Sequence, residues 1–574
     1  MGTTQGTKRY WRGLLWASSA ALLPMPAVAQ SVAPTREELT GITKPEAPSR
    51  PTLNVVGEIE RSPCPLADPR FADVHVTISD VQFNGLKGAT PEEMRAAWSS
   101  FAGREQPVSV LCEIRDAAAT ILRDKGYLAA VQVPTQKIEN GVVRMETLYA
   151  RVTTVRARGQ TDGAEAKLAG YLNKLTQDEY FDRNRAERYL LLARDIPGYN
   201  VQLTLKPAGT GPGELIGEVA VLRRRYSLDA TVQNLAAQET GRWGGQLRGQ
   251  LYGLTGLGDV TSLAFYSTFD VKEQKILQAS HSFRPGSEGL VIDGQFTYAW
   301  TKPDIDAGGA TPDLKAKTLY WTIGARYPLK RTQSSNLWAG IGFDYVDQKV
   351  DFIGPLSRDK LRVLWLRGEW DAVDLTSRRP AWKANALVEL RKGIDIFDAT
   401  DCDDDCDPGK GPSRFDGDAT ATVLRIAGQA ELALGRDFAF AIAPRAQYGF
   451  DPLLSFEEFT AGNYTVGRGY DPATLSGDSG VGLTAELRGP RLMPMARSQV
   501  SVQPYLFGDA AWVWDRNDGE GAHHLKSAGG GVRAELSDRF RLDGAVAVPL
   551  EKAGFEDRKG DVRLLVTLTS RILP

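Results

Sequence analysis

The second half of the chain alternates apolar with polar or small side chains over a very long distance. From Tyr226 to the C-terminus, about 350 residues form successive runs with the period of a β-strand. Many runs approach the roughly 9–11 residues that a tilted strand needs to cross a bilayer. In a typical run, one face of the strand carries Leu319, Trp321, Ile323, Ala325 and Tyr327, and the opposite face carries Tyr320, Thr322, Gly324 and Arg326. An apolar outer face with a polar inner face is the pattern of a transmembrane β-barrel.

The number and spacing of these runs support a closed barrel. They number about sixteen, and bacterial barrels have an even number of strands, with short periplasmic turns and long extracellular loops. Apart from two tight early connections, long linkers follow the odd-numbered strands, at 301–315, 350–358, 396–416, 451–478, 515–524 and 550–560. The sequence therefore predicts a 16-stranded antiparallel transmembrane β-barrel over residues 226–574.

The N-terminus reads as an export signal. Basic residues at Lys8, Arg9 and Arg12 precede an apolar stretch, which ends at Ala27-Val28-Ala29 before Gln30. This order predicts a signal peptide over residues 1–29. Beyond it, no apolar run approaches the roughly 18–20 residues of a helical span. A net charge of -2 with 24% charged residues excludes a strongly basic nucleic-acid binder.

Residues 30–73 are rich in proline and show little periodicity, so we predict a mobile leader and linker. Only Thr35 to Leu39 resembles the start of a short helix.

Two segments with similar patterns of apolar residues follow, at 74–150 and 151–225. In each, a strand pattern precedes two helical patterns and two further strands, so the order is β-α-α-β-β. Two successive copies of one small module are expected.

Both modules resemble polypeptide-transport-associated (POTRA) domains, specifically the pair found in two-partner-secretion transporters. The residues that carry the resemblance are Gly126-Tyr127, Val133 to Gln136 with Gly141, Glu187 to Leu192, and Pro197-Gly198. The resemblance implies modules that lie in the periplasm and capture an unfolded client. Exposed strand edges can pair with an extended chain by β-augmentation. The alternative is that the modules only position the barrel or contact other envelope proteins.

The barrel segment is similar to the same family, the haemolysin and haemagglutinin secretion-activation transporters. Its sixth extracellular loop holds Val466-Gly467-Arg468-Gly469-Tyr470, where that family carries its signature tetrad. Further matches are Asn234, Thr240 to Arg242 and Gly256 to Asp259 in the first hairpin, and Phe507-Gly508-Asp509-Ala510-Ala511 in the thirteenth strand. The family also has an N-terminal plug helix, which could begin only at Thr35 to Leu39 here. This chain ends Ile572-Leu573-Pro574, whereas such barrels commonly end in an aromatic residue read by the barrel-assembly machinery.

Alternation also gives Arg468 a partner. Along the thirteenth strand, Tyr505, Phe507 and Asp509 share the face opposite Leu506, so they point into the lumen. The same alternation in the twelfth strand places Glu486 on the inner face. A charged side chain on the lipid face would cost up to about 2–4 kcal/mol at the membrane midplane. An inward Asp509 needs a cation, and arginine offers a bidentate guanidinium. We therefore predict that loop 6 folds inward and that Arg468 anchors it to Asp509; the alternative is an ordinary solvated loop arginine.

Four cysteines in an exported chain make disulfides permissible. A bridge between Cys64 and Cys112 would pin the leader to the first module, and the alternative is two free buried thiols. Cys402 and Cys406 lie in an acidic outer loop, where a local disulfide competes with a solvated loop and with calcium on the aspartates. Two thiols without a nearby histidine fall short of a zinc set, so we predict no metal site.

The resemblance thus implies an outer-membrane translocator that exports a large, unfolded exoprotein from the periplasm to the cell surface. No catalytic constellation, phosphate loop or dinucleotide fingerprint occurs, so we expect neither an enzyme nor a cofactor. The expected partners are the exoprotein, outer-membrane lipid and, during biogenesis, the barrel-assembly machinery, without nucleic acid. A barrel-assembly factor and a passive porin are the alternatives. The resemblance favours secretion, because barrel-assembly proteins usually carry five POTRA domains.

Overall fold

The computed structural model describes most of the chain: residues 33–41, 64–211, 213–304, 313–352, 354–377, 379–401, 411–493, 500–517, 519, 521–537, 539–553 and 559–573. The predicted signal peptide, most of the leader, Cys402, Cys406 and Pro574 lie outside these residues. Among the residues described, no helix is both long and apolar enough to cross a membrane. The leader contributes one short helix, α1 (Arg36–Gly41).

The first module is a small mixed sheet covered by helices. Its elements are β1 (His75–Thr77), β2 (Asp80–Asn84), α2 (Pro91–Met94), β3 (Glu105–Pro107), α3 (Val110–Asp124), β4 (Ala129–Gln132) and β5 (Val142–Tyr149). In the sheet, β2 lies parallel and β4 antiparallel to the central β5. The helical spacing of Met94, Ala97, Trp98 and Phe101 predicts one helix, whereas the structure has α2 followed by two 3-10 turns. Ser99 and Ser100 follow Trp98 there, and serine competes with helical backbone hydrogen bonds.

The second module repeats this arrangement. Its elements are β6 (Arg151–Gly159), α4 (Glu165–Leu172), α5 (Arg183–Arg194), β7 (Tyr199–Pro207) and β8 (Glu214–Arg223). Strand β6 lies parallel and β7 antiparallel to the central β8. Apolar side chains from both helices and all three strands form one core, including Leu168, Leu190 and Val219. The predicted β-α-α-β-β order is present in both modules, and the first contains two further short strands, β1 and β3, which pair in a separate two-stranded sheet.

Sixteen antiparallel strands then form a closed barrel, in which β26 pairs with β9. The prediction of a 16-stranded barrel is confirmed. The strands are β9 (Tyr226–Gln233), β10 (Gly244–Tyr252), β11 (Val260–Thr268), β12 (Gln274–Phe283), β13 (Val291–Thr301), β14 (Leu314–Arg331), β15 (Ser335–Phe352), β16 (Gly354–Val373), β17 (Trp382–Gly393), β18 (Thr422–Leu434), β19 (Phe438–Gly449), β22 (Ser479–Arg488), β23 (Val500–Trp514), β24 (His523–Leu536), β25 (Phe540–Pro549) and β26 (Arg563–Leu573). Two short strands in loop 6 are β20 (Phe459–Ala461) and β21 (Leu475–Gly477).

The fourth outer connection differs from the prediction of a long loop over 350–358. Strand β15 runs to Phe352 and β16 begins at Gly354, so the two form a long hairpin instead. The alternation continues through this region, because Val346, Gln348 and Val350 are all buried. The sequence Gly354-Pro355 reads as a turn, whereas the structure pairs both residues with β15.

The second module docks on the periplasmic turns of the barrel. Asp195, directly after α5, forms a bidentate ion pair with Arg331 at the end of β14, with distances of 2.8 and 2.7 Å. Nearby, Lys174 lies 2.8 Å from Glu288 in the turn between β12 and β13. Gly289 leaves room for Leu192 against the same turn. The module therefore sits at the periplasmic mouth of the barrel.

Candidate functional site in the barrel lumen

Loop 6 connects β19 to β22 and folds into the barrel. Its short strands β20 and β21 pair with each other, with Phe459 opposite Gly477. Apolar residues of the loop form a buried cluster with wall residues of β23 and β24, including Ala511, Val513 and Leu525. The loop is thus a packed element of the lumen rather than a solvated extracellular segment.

The structure brings Arg468 and Asp509 together inside the lumen. Asp509 is 4% exposed and accepts three hydrogen bonds from Arg468: from its backbone N–H at 3.0 Å, from Nε at 3.2 Å and from Nη2 at 3.0 Å. Ser527 on β24 donates a fourth hydrogen bond to this carboxylate, at 3.1 Å. Backbone and side chain of one loop residue are therefore fixed to one wall residue. Charge-assisted, bidentate bonds of this kind are the strong ones in proteins.

The Arg468 guanidinium also contacts an aromatic ring and a second carboxylate on the barrel wall. The guanidinium carbon lies 3.7 Å from the ring centroid of Phe507, which is cation–π geometry. The remaining nitrogen, Nη1, donates to Glu486 on β22 at 2.9 Å, and Arg533 on β24 also binds that carboxylate. Alternation predicted that Glu486, Phe507 and Asp509 face inward, and all three are buried. The arginine is held by charge and by an aromatic face together.

Each neighbour of Arg468 in the motif has its own contact. Val466 is buried against Gly482, where a Cβ atom would lie only 2.9 Å from the valine side chain. The hydroxyl of Tyr470 donates toward the backbone oxygens of Lys526 and Glu551, at 2.8 and 2.9 Å. Gly467 has a φ of +120°, in the region that favours glycine. The motif therefore packs against the barrel wall along its length.

The family-like residues of the first hairpin also meet loop 6 or the barrel seam. Arg242 lies 2.9 Å and Arg563 of β26 lies 2.7 Å from Asp471, the residue that follows the motif. The Asn234 amide donates to Leu564 and accepts from Val566, both at 2.7 Å, across the seam between β9 and β26. Asp259 accepts hydrogen bonds from Leu254 and Thr255, which fix the first periplasmic turn.

Helix α1 occupies the lumen beside loop 6. The sequence indicated only a helix start at Thr35 to Leu39 within a mobile leader, whereas the structure places a six-residue helix inside the barrel. Leu39 is fully buried among inward residues of the wall. Arg36 lies 3.3 Å from Glu389 of β17, and Glu37 lies 3.1 Å from Arg445 of β19. Two ion pairs therefore hold a short plug helix against the wall.

A second charged cluster in the lumen was not predicted. It is centred on Arg391 of β17, whose side chain is 1% exposed. Its guanidinium binds Asp344 of β15 and Glu457 of loop 6. The sequence signal was present, since Glu389 and Arg391 share the face opposite Val388 and Leu390. Without a structure, nothing indicated which loop carboxylate this arginine meets.

An arginine lies among three acidic residues at the outer end of the barrel. Glu458, Asp478 and Asp515 have carboxylate oxygens within 4.8 Å of one another. Arg414 of loop 5 lies 2.9, 2.6 and 3.2 Å from these three residues in turn. Since its guanidinium supplies the positive charge, the cluster is an ion-pair junction of loops 5, 6 and 7.

The structure joins Cys64 and Cys112 by a disulfide across a sequence separation of 48 residues. The bond connects the end of the leader to the first turn of α3. Cys402 and Cys406 lie outside the described residues, so their predicted bridge stays a prediction. His524 is the second residue of β24 and lies 3.3 Å from Glu551.

Comparisons with known proteins agree with this architecture. A family model described as haemolysin secretion/activation protein ShlB/FhaC/HecB matches residues 219–534, and one described as POTRA domain, ShlB-type, matches residues 76–148. The heme/hemopexin transporter protein HuxB of Haemophilus influenzae is 22% identical over 80% of this chain and 81% of its own length.

Solved structures of similar fold include two proteins named CdiB. The protein from Escherichia coli has a TM-score of 0.73 at 16% identity, covering 90% of this chain and 94% of its own. The protein from Acinetobacter baumannii has a TM-score of 0.64 at 16% identity, covering 95% of both chains.

A closed barrel with POTRA domains before it and a docked loop inside it defines an outer-membrane translocator. Because the first family match covers more than half of the sequence, the chain belongs to the haemolysin secretion/activation protein family. It is a two-partner-secretion transporter of the bacterial outer membrane that exports an exoprotein, and its POTRA domains lie in the periplasm.

Proposed function

We propose that the two modules, over 74–150 and 151–225, capture an extended client and that the barrel conducts it after α1 has left the lumen. The observation that carries this proposal is that α1 occupies the lumen beside loop 6 and is held to the wall by two ion pairs rather than by strand pairing. Such contacts can be exchanged for contacts with a passing chain.

Client capture is proposed to occur by β-augmentation. The outer strands of the two module sheets are β2 and β4 in the first, and β6 and β7 in the second. An added strand gains main-chain hydrogen bonds without requiring a particular sequence, which suits an unfolded client. The disulfide between Cys64 and Cys112 keeps the first module compact in this role.

The anchor formed by Arg468 and Asp509 is proposed to hold loop 6 in its transport-competent position. Arg468→Ala and Asp509→Ala, singly and together, should abolish export, because each removes the bidentate attachment of loop 6 to β23. The matched controls are Arg248→Ala and Asp229→Ala, which remove a lumen pair at 3.6 Å on β9 and β10. Export is measured as client in the medium, and barrel insertion by heat-modifiable migration of the folded protein. Unchanged export in the Arg468 and Asp509 variants would refute the role of the anchor.

The remaining partners follow from the surface of the barrel. Large apolar side chains face outward on many strands, and Leu506 is 63% exposed, so we propose outer-membrane lipid as their contact. Insertion by the barrel-assembly machinery is proposed despite the non-aromatic C-terminus. We propose no covalent reaction for the protein.

A strain that lacks the protein tests the alternative function, barrel assembly. If that strain exports the client normally while other barrels fail to insert, the alternative is correct.

A further inference from the structure

The loop segment before the signature motif has its own contact with the wall. Glu457 is 4% exposed and lies eleven positions before Arg468. Both of its carboxylate oxygens accept hydrogen bonds from Arg391, at 2.9 and 2.7 Å. Arg425 of β18 donates to the same side chain at 3.0 Å and to its backbone oxygen at 2.9 Å. A bidentate pair plus backbone contacts is the same type of attachment as that of Arg468.

This attachment lies on a different part of the wall. Arg391 belongs to β17, which is separated from β23 and Asp509 by β18, β19 and β22 in the barrel order. The two attachments therefore hold the two limbs of loop 6 at separate places. A loop fixed at one place can still swing, whereas a loop fixed at two places cannot.

The same arginine is connected to the plug helix through a shared carboxylate. Glu389 lies 3.2 Å from Arg391 and 3.3 Å from Arg36 of α1. Arg367 also donates to Glu389, at 2.6 Å, so this carboxylate keeps partners when α1 leaves. Asp344 binds both Arg391 and the indole nitrogen of Trp365, at 2.8 and 2.9 Å. Loop 6 and α1 are thus attached to neighbouring positions of one ion-pair cluster.

We infer that Arg391 is a positioning residue that holds Glu457 as a second lumen anchor of loop 6 and, through Glu389, attaches α1 to the same cluster. The cluster contains three carboxylates (Asp344, Glu389, Glu457) and four guanidinium groups (Arg36, Arg367, Arg391, Arg425). Loss of the Glu457 carboxylate leaves four guanidinium groups with two carboxylates, and it detaches this part of loop 6 from the wall. Loss of Arg36 removes only the contact with the helix. The two segments can therefore be released separately by different substitutions.

The test uses the purified full-length protein with Ser455→Cys, two residues from Glu457, as a reporter of loop position. A charged maleimide labels this cysteine, and the protein without it is the blank for the native cysteines. Glu457→Gln should raise the labelling rate about tenfold or more, as expected for the loss of a charge-assisted hydrogen bond. Arg248→Gln, which removes a lumen cation that pairs with Asp229, should leave the rate unchanged. Equal rates in Glu457→Gln and wild type would overturn the second anchor.

Planar-bilayer conductance reports on α1 in the same proteins. Arg36→Gln should raise the open-channel frequency severalfold while Ser455→Cys labelling stays at the wild-type rate. Arg391→Lys keeps the charge but not the planar fork, so it should raise both labelling and conductance. The double variant Arg391→Lys, Glu457→Gln should be labelled no faster than the faster of the two single variants, because both substitutions remove the same interaction. Additive labelling effects would contradict the pairing of Arg391 with Glu457, and a change in labelling by Arg36→Gln would contradict the separate release of the two segments.

The inference rests on the proposed inward role of loop 6, yet neither measurement depends on export. If Arg468→Ala leaves export unchanged while Glu457→Gln raises labelling, the role of the motif in export fails and the second anchor stands. If the reverse is found, the second anchor fails alone. Heat-modifiable migration confirms in each variant that the barrel remains folded.

Discussion

Gly469 is a point of very close approach between loop 6 and the barrel wall. A Cβ atom at this position would lie 2.9 Å from the Ser527 side chain and 2.9 Å from the Pro549 backbone nitrogen. Real Cβ contacts are longer, so any side chain would push the loop away from β24 and β25. The glycines around Arg468 are thus required by space as well as by backbone conformation.

We therefore expect Gly469→Ala to displace the motif and to lower export at least severalfold, since overpacking costs about 1–3 kcal/mol. The control is Gly508→Ala, directly beside Asp509, where an added Cβ meets nothing within 4 Å. Export of the client is measured for both, with barrel folding checked by heat-modifiable migration. Equal export by the two variants would contradict the close approach.

Residue-level prediction from the sequence depended on alternation. It placed Glu486, Phe507 and Asp509 on the inner face because neighbours such as Leu506 had to face lipid. It could not match Arg391 with Glu457, since the sequence gives no relation between a strand residue and a loop residue 66 positions away. Pairing across a lumen is set by the barrel as a whole, and only the structure provides it.

At the scale of single elements, α1 depends on tertiary contacts for its stability. An isolated six-residue helix is too short to be stable in water. Thr35 and Glu38 stabilise its first turn, with Glu38 bonding back to the Thr35 N–H at 2.7 Å. The sequence could show this capping pattern but not the lumen that shelters the helix. Periodicity likewise predicted strands β15 and β16 but placed a loop at 350–358, where the structure continues both strands.

The disulfide of the first module yields a prediction at this scale. Replacing both Cys64 and Cys112 by serine should lower the stability of that module by about 2–5 kcal/mol, the usual cost in small exported domains. The measurement is the urea concentration at which the module becomes protease-sensitive in the full-length protein. A reducing agent should shift this midpoint in wild type and leave the double variant unaffected. An equal midpoint in both proteins would show that the bond adds no stability.

On the scale of the whole molecule, the docking of the second module on the barrel determines where a captured client is presented. Asp195 and Arg331 are 25% and 16% exposed and form a bidentate pair. Such a pair contributes about 1.5–3 kcal/mol. We expect Asp195→Asn to speed tryptic cleavage at Arg223 to Arg225, between the module and β9, by severalfold.

The matched control for that prediction is Arg158→Gln, which removes a partner of Glu218 at 3.3 Å. The Arg158 side chain is 69% exposed, and exposed pairs contribute about 0–1 kcal/mol. Cleavage should therefore remain at the wild-type rate. If Asp195→Asn and Arg158→Gln were cleaved equally, the module would not depend on this ion pair for its position.

Secretion of a protein partner is the central claim, and the proteins released by the native host test it most directly. Deleting this gene should remove one large protein from the medium and the cell surface, while other outer-membrane barrels keep their normal abundance. Wild type should restore that protein, and Asp509→Ala, inserted at equal level, should not. An unchanged set of released proteins, with a general loss of other barrels instead, would contradict the account.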